Sequence, residues 1–183
     1  MNQQSEGLFD FDGAKDDVNR RAIAIGFALI VFSGFVDWQE MEMTWSYNDG
    51  WDDYEETTDA TLKGPMDDDT RDAYEHAGYL WYLGIIGLGA VLVRRSKLEE
   101  QIGDENYGNF FLGFGILCLL LAYSVYSEIS EDTEDAEDLS SSSDYGDMDV
   151  DVSYKMGYYM ALIGPIAVLY GGYNLYNDMK NGP

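Results

Sequence analysis

Four stretches without any Asp, Glu, Lys or Arg constrain the fold more than any other feature of this sequence. They cover residues 22–36, 77–93, 107–127 and 156–177. A soluble domain mixes polar and apolar residues at the period of a helix or a strand, whereas these stretches are apolar or aromatic on every side. A bilayer core of about 30 Å needs roughly 20 helical residues. Each stretch is long enough for a membrane span, provided that the first extends to Trp38.

These stretches predict an all-α membrane protein with a bundle of four transmembrane helices. The predicted spans are 22–38, 77–93, 107–127 and 156–176. Seven of the ten Lys and Arg residues fall in 1–21, 94–106 and 177–183, which the positive-inside rule places in the cytoplasm. The remaining segments, 39–76 and 128–155, are then external loops. The predicted location is the plasma membrane, with several passes and both termini in the cytoplasm.

The two external segments contain almost all of the negative charge. The whole chain has a formal net charge of -25; residues 37–76 contain 14 acidic and 2 basic residues, and residues 128–155 contain 11 and 1. Dense surface carboxylates are typical of marine or salt-adapted prokaryotes, where they keep protein surfaces hydrated. Segment 128–155 has little apolar content, so we expect it to be disordered.

An aromatic cluster surrounds a turn sequence in the first external segment. Trp45, Tyr47, Trp51 and Tyr54 flank Asn-Asp-Gly at 48–50, which predicts a short β-hairpin. The cluster is interpreted as an anchor at the membrane interface or a small apolar contact. The alternative is a site for a sugar or an amine, bound by stacking and cation–π attraction.

Two groups of polar residues are candidate metal ligands. Asp72 and the only histidine, His76, are four residues apart and would share a helix face. Asp147, Asp149 and Asp151 imitate the start of a calcium loop, although the rest of the EF-hand pattern is missing. Weak Ca²⁺ or Mg²⁺ binding by the external segments is the resulting hypothesis. We expect no other cofactor.

Small residues in the predicted spans indicate close helix packing. The candidates are Ala22 with Gly26, Gly157 with Ala161, and Ala167 with Gly171. Residues with little or no side chain let helix backbones approach each other. Gly164 and Pro165 predict a kink in the last span, since proline removes one helical hydrogen bond.

The residues available for chemistry favour an interaction protein over an enzyme. The sequence contains one cysteine, Cys118, and one histidine, and it contains no phosphate-binding glycine loop or Cys-x-x-Cys motif. We expect an accessory or interaction component of a prokaryotic plasma membrane, in contact with the lipid bilayer and with other membrane subunits or further copies of itself. Nucleic acid is not an expected partner. Two alternatives are a channel- or transporter-like protein with a cation-attracting acidic vestibule, and an envelope sensor that responds to divalent cations.

Overall fold

The computed structural model describes residues 8–12, 17–48, 53–93, 95–103, 106–141 and 147–181. The helices in these residues are α1 (Val18–Ser33), α2 (Asp68–Ala73), α3 (Glu75–Leu92), α4 (Arg95–Ile102), α5 (Tyr107–Ser141) and α6 (Met156–Asn181). The strands are β1 (Gln39–Asn48), β2 (Asp53–Leu62) and β3 (Asp147–Tyr154). They form one antiparallel sheet in the order β2-β1-β3.

The long helices pack around α6, which contacts both α1 and α5, while α3 packs on α1. The side chain of Asp17 caps the start of α1 by accepting hydrogen bonds from the backbone N–H groups of Asn19 and Arg20, at 2.9 and 3.1 Å. Phe27 and Val168 are fully buried in the core between these helices. Burial of such side chains is the main stabilising contribution in this part of the molecule.

Strands β1 and β3 have a period of two in the sequence. In β1, Met41 and Met43 point to one face and Glu42 to the other, as the alternation of a strand requires. Helix α5 continues beyond its apolar part and packs beside β3. There Ile129 is fully buried, and Thr133 accepts a hydrogen bond from the side chain of Gln39 at 2.9 Å.

The prediction of an all-α fold is wrong. Strands β1 and β2 occupy 39–62, and they are followed by the short helix α2, where an external loop with only a short hairpin was expected. Segment 128–155, which was expected to be disordered, contains the last part of α5 and the strand β3. In β1 and β3 the apolar residues alternate with polar ones, and Met41, Met43, Val150 and Val152 are half-buried on one face of the shared sheet.

The prediction of a bundle of four transmembrane helices is also wrong. Within the described residues, α5 alone is long and apolar enough to cross a membrane, over Tyr107–Ala136. Helix α1 has 16 residues, about 24 Å of helix, which is less than the hydrocarbon core of about 30 Å. Glu75 and His76 at the start of α3 lower the mean hydropathy of that helix, and the many tyrosines and glycines of α6 do the same there. A multi-pass arrangement is therefore not supported.

The two ends of the molecule differ in chemistry. At one end, here called the arginine end, the buried Arg20 donates hydrogen bonds to the carbonyls of Val91 and Val93, and Arg95 lies 5.1 Å from the ring centre of Tyr107. The other end consists of the sheet, α2 and the last part of α5 (128–141), and it is called the acidic end. The four longest helices connect the two ends.

Candidate functional site: the acidic end

Trp38 joins the sheet to the helices. Its side chain is 1% exposed, and its indole N–H donates a hydrogen bond of 2.7 Å to the carbonyl of Ser33 at the end of α1. Its backbone N–H donates to Leu62, and its carbonyl accepts from Lys155, both at 2.8 Å. One residue therefore holds α1, β2 and the end of β3 together.

The sheet has a polar face and an apolar face, because directly opposite residues of neighbouring strands point to the same side. Residues on the polar face include Glu40, Glu42, Glu55, Thr57, Asp59, Asp149 and Asp151. Residues on the apolar face include Met41, Met43, Trp45, Tyr54, Met148, Val150, Val152 and Tyr154. The apolar residues of β3 are half-buried, whereas Asp59, Asp149 and Asp151 are exposed.

Three carboxylates form a row across the polar face. Glu42 of β1 is directly opposite Asp59 of β2 and also directly opposite Asp151 of β3. Side chains in such positions are about 5 Å apart at Cβ, and like charges there destabilise a sheet. All three residues are exposed, so water and dissolved cations screen the repulsion.

Glu42→Gln is expected to stabilise the protein by about 0.5–1 kcal/mol at low ionic strength, because it removes the central charge of the row. In about 1 M salt, where charges are screened over about 3 Å, the gain should almost disappear. Thermal unfolding at both salt concentrations measures the difference. Glu131→Gln, which removes an exposed charge from α5 instead, is the matched control. Equal gains from the two substitutions would show that only total charge matters.

Two side-chain contacts connect α3 and its preceding residue to the last part of α5. The Nδ1 atom of His76 lies 2.5 Å from a carboxylate oxygen of Glu128. The hydroxyl of Tyr74 donates a hydrogen bond of 2.6 Å to Asp132. Burial raises the pKa of Tyr74 above its ordinary value, and the hydrogen bond to Asp132 and the charge of Glu128 raise it further. Tyr74 is therefore a donor at neutral pH and helps to hold α5 in place.

The candidate metal ligands are not brought together. Asp72 lies on α2, which ends at Ala73, and the backbone at Tyr74 (φ -125°, ψ 80°) separates α2 from α3. Asp72 and His76 therefore do not share one helix face, and the contact of His76 is Glu128, which the sequence pattern did not single out. Residues Asp147, Asp149 and Asp151 lie in an extended strand, where a calcium loop would need a turn. The described residues contain no group of three His, Cys, Asp or Glu side chains that could hold a metal ion.

The small residues in the helices lie where backbones meet. A Cβ atom added to Gly26 would be 2.6 Å from the carbonyl oxygen of Gly164, and one added to Gly171 would be 2.6 Å from that of Asn19. Gly157 is similarly close to the carbonyl of Asp37. Ala161 and Pro165 are buried, and Ala22 and Ala167 are half-buried. Helix α6 runs from Met156 to Asn181 as one element, with Pro165 inside it.

The aromatic cluster flanks a longer hairpin than expected. β1 and β2 pair from Gln39 with Leu62 to Asn48 with Asp53. Trp45 and Tyr54 are 48% and 59% exposed on the apolar face, and the hydroxyl of Tyr54 donates to Glu56 at 3.0 Å. Trp51 and the side chain of Tyr47 lie outside the described residues. Two exposed rings beside a carboxylate suit contact with a cationic group.

The acidic end thus presents carboxylates, exposed aromatic rings and the outer edge of a strand. Such groups bind cations, planar ligands and extended chains. Neither a scan against known protein families nor a search of curated proteins finds a match to the chain. A functional proposal therefore depends on the chemistry of this surface and on that of the helices.

Proposed function

We propose that the protein is an accessory component of a prokaryotic plasma membrane, held there by the apolar surface of α5, with the acidic end free for contact with other proteins. The observation that carries this proposal is the exposed apolar surface of α5. Ile116, Leu117, Leu120 and Tyr123 are 48%, 45%, 61% and 68% exposed. Only 28% of the most apolar part of α5 is buried inside the protein. Contiguous apolar surface of this kind is rare on water-soluble monomers.

The neighbouring helices extend this apolar surface. Ile25 of α1, Ile86 of α3, and Ile163 and Ile166 of α6 are all more than half exposed. These side chains are the proposed contacts for other subunits. Packing between apolar helices in a membrane depends on such shape contacts.

Cysteine labelling in isolated membranes tests the anchor. Cys118→Ala first removes the buried native thiol. Thr57→Cys then places a thiol on the exposed β2, and the matched Lys97→Cys places one on the exposed surface of α4. We expect the protein to be recovered with membranes and both thiols to react there with a maleimide, because both lie outside the apolar surface of the helices. A thiol placed in that surface by Leu120→Cys should react much more slowly. Recovery of the protein without membranes, or equal reaction of all three thiols, would contradict the proposal.

A further inference from the structure

The outer edge of β2 is open. β2 pairs with β1 on one side, and no other strand of the described residues pairs with it. The side chains from Tyr54 to Thr61 are exposed throughout. An open strand edge presents unpaired backbone N–H and C=O groups that can pair with another chain. We infer that this edge binds an extended, lysine- or arginine-bearing segment of another polypeptide, which adds a fourth strand to the sheet.

The hydrogen bonds around Trp38 determine which backbone groups point outward. The carbonyl of Trp38 faces Lys155, at the end of β3, so the N–H of Gln39, on the opposite side of the same peptide plane, faces β2. Gln39 pairs with Leu62, whose carbonyl faces β1. Because successive residues of a strand alternate in direction, even-numbered residues of β2 bond to β1. The outward-pointing N–H and C=O groups belong to Glu55, Thr57, Asp59 and Thr61.

The side chains at these outward positions define the charge of the segment that fits. Glu55 and Asp59 lie on the polar face, next to the row that Asp59 forms with Glu42 and Asp151. A second copy of β2 would bring further carboxylates to this edge, and like charges across paired strands are unfavourable. A segment with Lys or Arg at alternate positions would instead pair opposite charges with Glu55 and Asp59.

One ion pair on the same face already has this arrangement. The ammonium group of Lys155, which follows β3, contacts the carboxylate of Glu40 on β1. A lysine of an added strand would meet Glu55 or Asp59 in the same way, from the other edge of the sheet. This inference goes beyond the membrane anchor, since it depends on the edge alone and holds wherever α5 resides.

Hydrogen exchange on the purified full-length protein in neutral detergent tests the inference. The probe is a synthetic peptide of about ten residues with alternating lysine and threonine, and the control peptide has glutamate in place of lysine. The lysine peptide is expected to slow exchange of the amides of Glu55, Thr57 and Asp59 by tenfold or more. The amides of Glu56 and Thr58, already bonded to β1, should change little. Uniform protection, or none, would overturn the inference.

Substitutions separate strand pairing from general attraction between charges. Thr57→Pro removes one outward N–H and leaves the hydrogen bonds to β1 in place, a change that edge strands tolerate. This variant should bind the peptide at least tenfold more weakly, whereas Thr57→Ala should bind it normally.

A pair of charge substitutions tests the contribution of the carboxylates. Glu55→Gln combined with Asp59→Asn should weaken binding more than Glu131→Gln combined with Glu134→Gln, which removes as much exposed charge from α5. Equal effects of the two pairs would contradict the inference. If Thr57→Pro does not fold, the alternating exchange pattern decides.

Discussion

Trp38→Ala is expected to lower the free energy of unfolding by about 3–5 kcal/mol, the usual cost of truncating a large buried aromatic side chain. Trp38 is 1% exposed, and its loss would open a cavity where α1, the sheet and the start of α6 meet. Gly157 of α6 packs directly against the indole ring. The carbonyl of Ser33 would also lose its hydrogen-bond donor, which adds to the cost. Chemical unfolding followed by circular dichroism measures the change.

Trp45→Ala is the matched control for this experiment. Trp45 is 48% exposed on the sheet, so the same change should cost about 1 kcal/mol or less. Trp38→Phe keeps most of the buried ring and removes only the N–H donor, so it should cost about 1–3 kcal/mol. If Trp38→Ala and Trp45→Ala destabilise equally, Trp38 does not join the two parts of the molecule.

Gly26→Ala is expected to destabilise the protein by about 2–3 kcal/mol, although alanine is the better helix former. The added Cβ would lie 2.6 Å from the carbonyl oxygen of Gly164 and 2.8 Å from the backbone nitrogen of Val168. Carbon atoms do not approach backbone atoms this closely, so α1 and α6 must move apart. Because α1 and α6 form the most extensive helix contact in the protein, the loss should affect the whole helical part. Unfolding in detergent, as for Trp38, measures it.

The same substitution has the opposite expected sign elsewhere in the helices. A Cβ atom added to Gly89 of α3 or Gly113 of α5 would have no atom within 4 Å. Gly89→Ala and Gly113→Ala should therefore stabilise the protein by up to about 1 kcal/mol, as expected when glycine is replaced in a helix. Destabilisation by these controls, or tolerance of Gly26→Ala, would contradict the packing described here.

The positions of the long helices could be predicted from the sequence, but their relation to a membrane could not. The uncharged stretches 77–93, 107–127 and 156–176 each fall within one residue of a helix in the structure or inside it. Absence of charge and a minimum length are not sufficient for a membrane span. The mean hydropathy of the helix also matters, and among the described residues α5 alone meets that criterion.

The strands had a local signal that the acidic composition obscured. In β3, Met148, Val150 and Val152 alternate with Asp149 and Asp151, which is the period of a strand with one buried face. The aspartates imitate the start of a calcium loop, since their spacing of two also occurs there, although the rest of that pattern is missing. β2 is rich in threonine and acidic residues, and its partner β1 determines its conformation through tertiary pairing, which sequence patterns do not reveal.

The candidate site was only partly accessible to sequence reasoning for the same physical reason. The exposed rings of Trp45 and Tyr54 lie beside a hairpin, as their turn sequence indicated. The contact between His76 and Glu128 joins residues 52 positions apart. The row of Asp59, Glu42 and Asp151 depends on the register of three strands. Both arise from long-range pairing, whereas the patterns examined in the sequence are local.

Helix α5 passes from the arginine end into the acidic end as one element of 35 residues, about 50 Å long at the rise of an α-helix. A continuous helix of this length is stiff. Thr133 near its end accepts a hydrogen bond from Gln39 of β1, and α5 has no break at which a motion could be absorbed. A load that tilts the sheet would therefore be transmitted along α5 to Tyr107 at the far end and to the guanidinium group of Arg95 that lies on its ring.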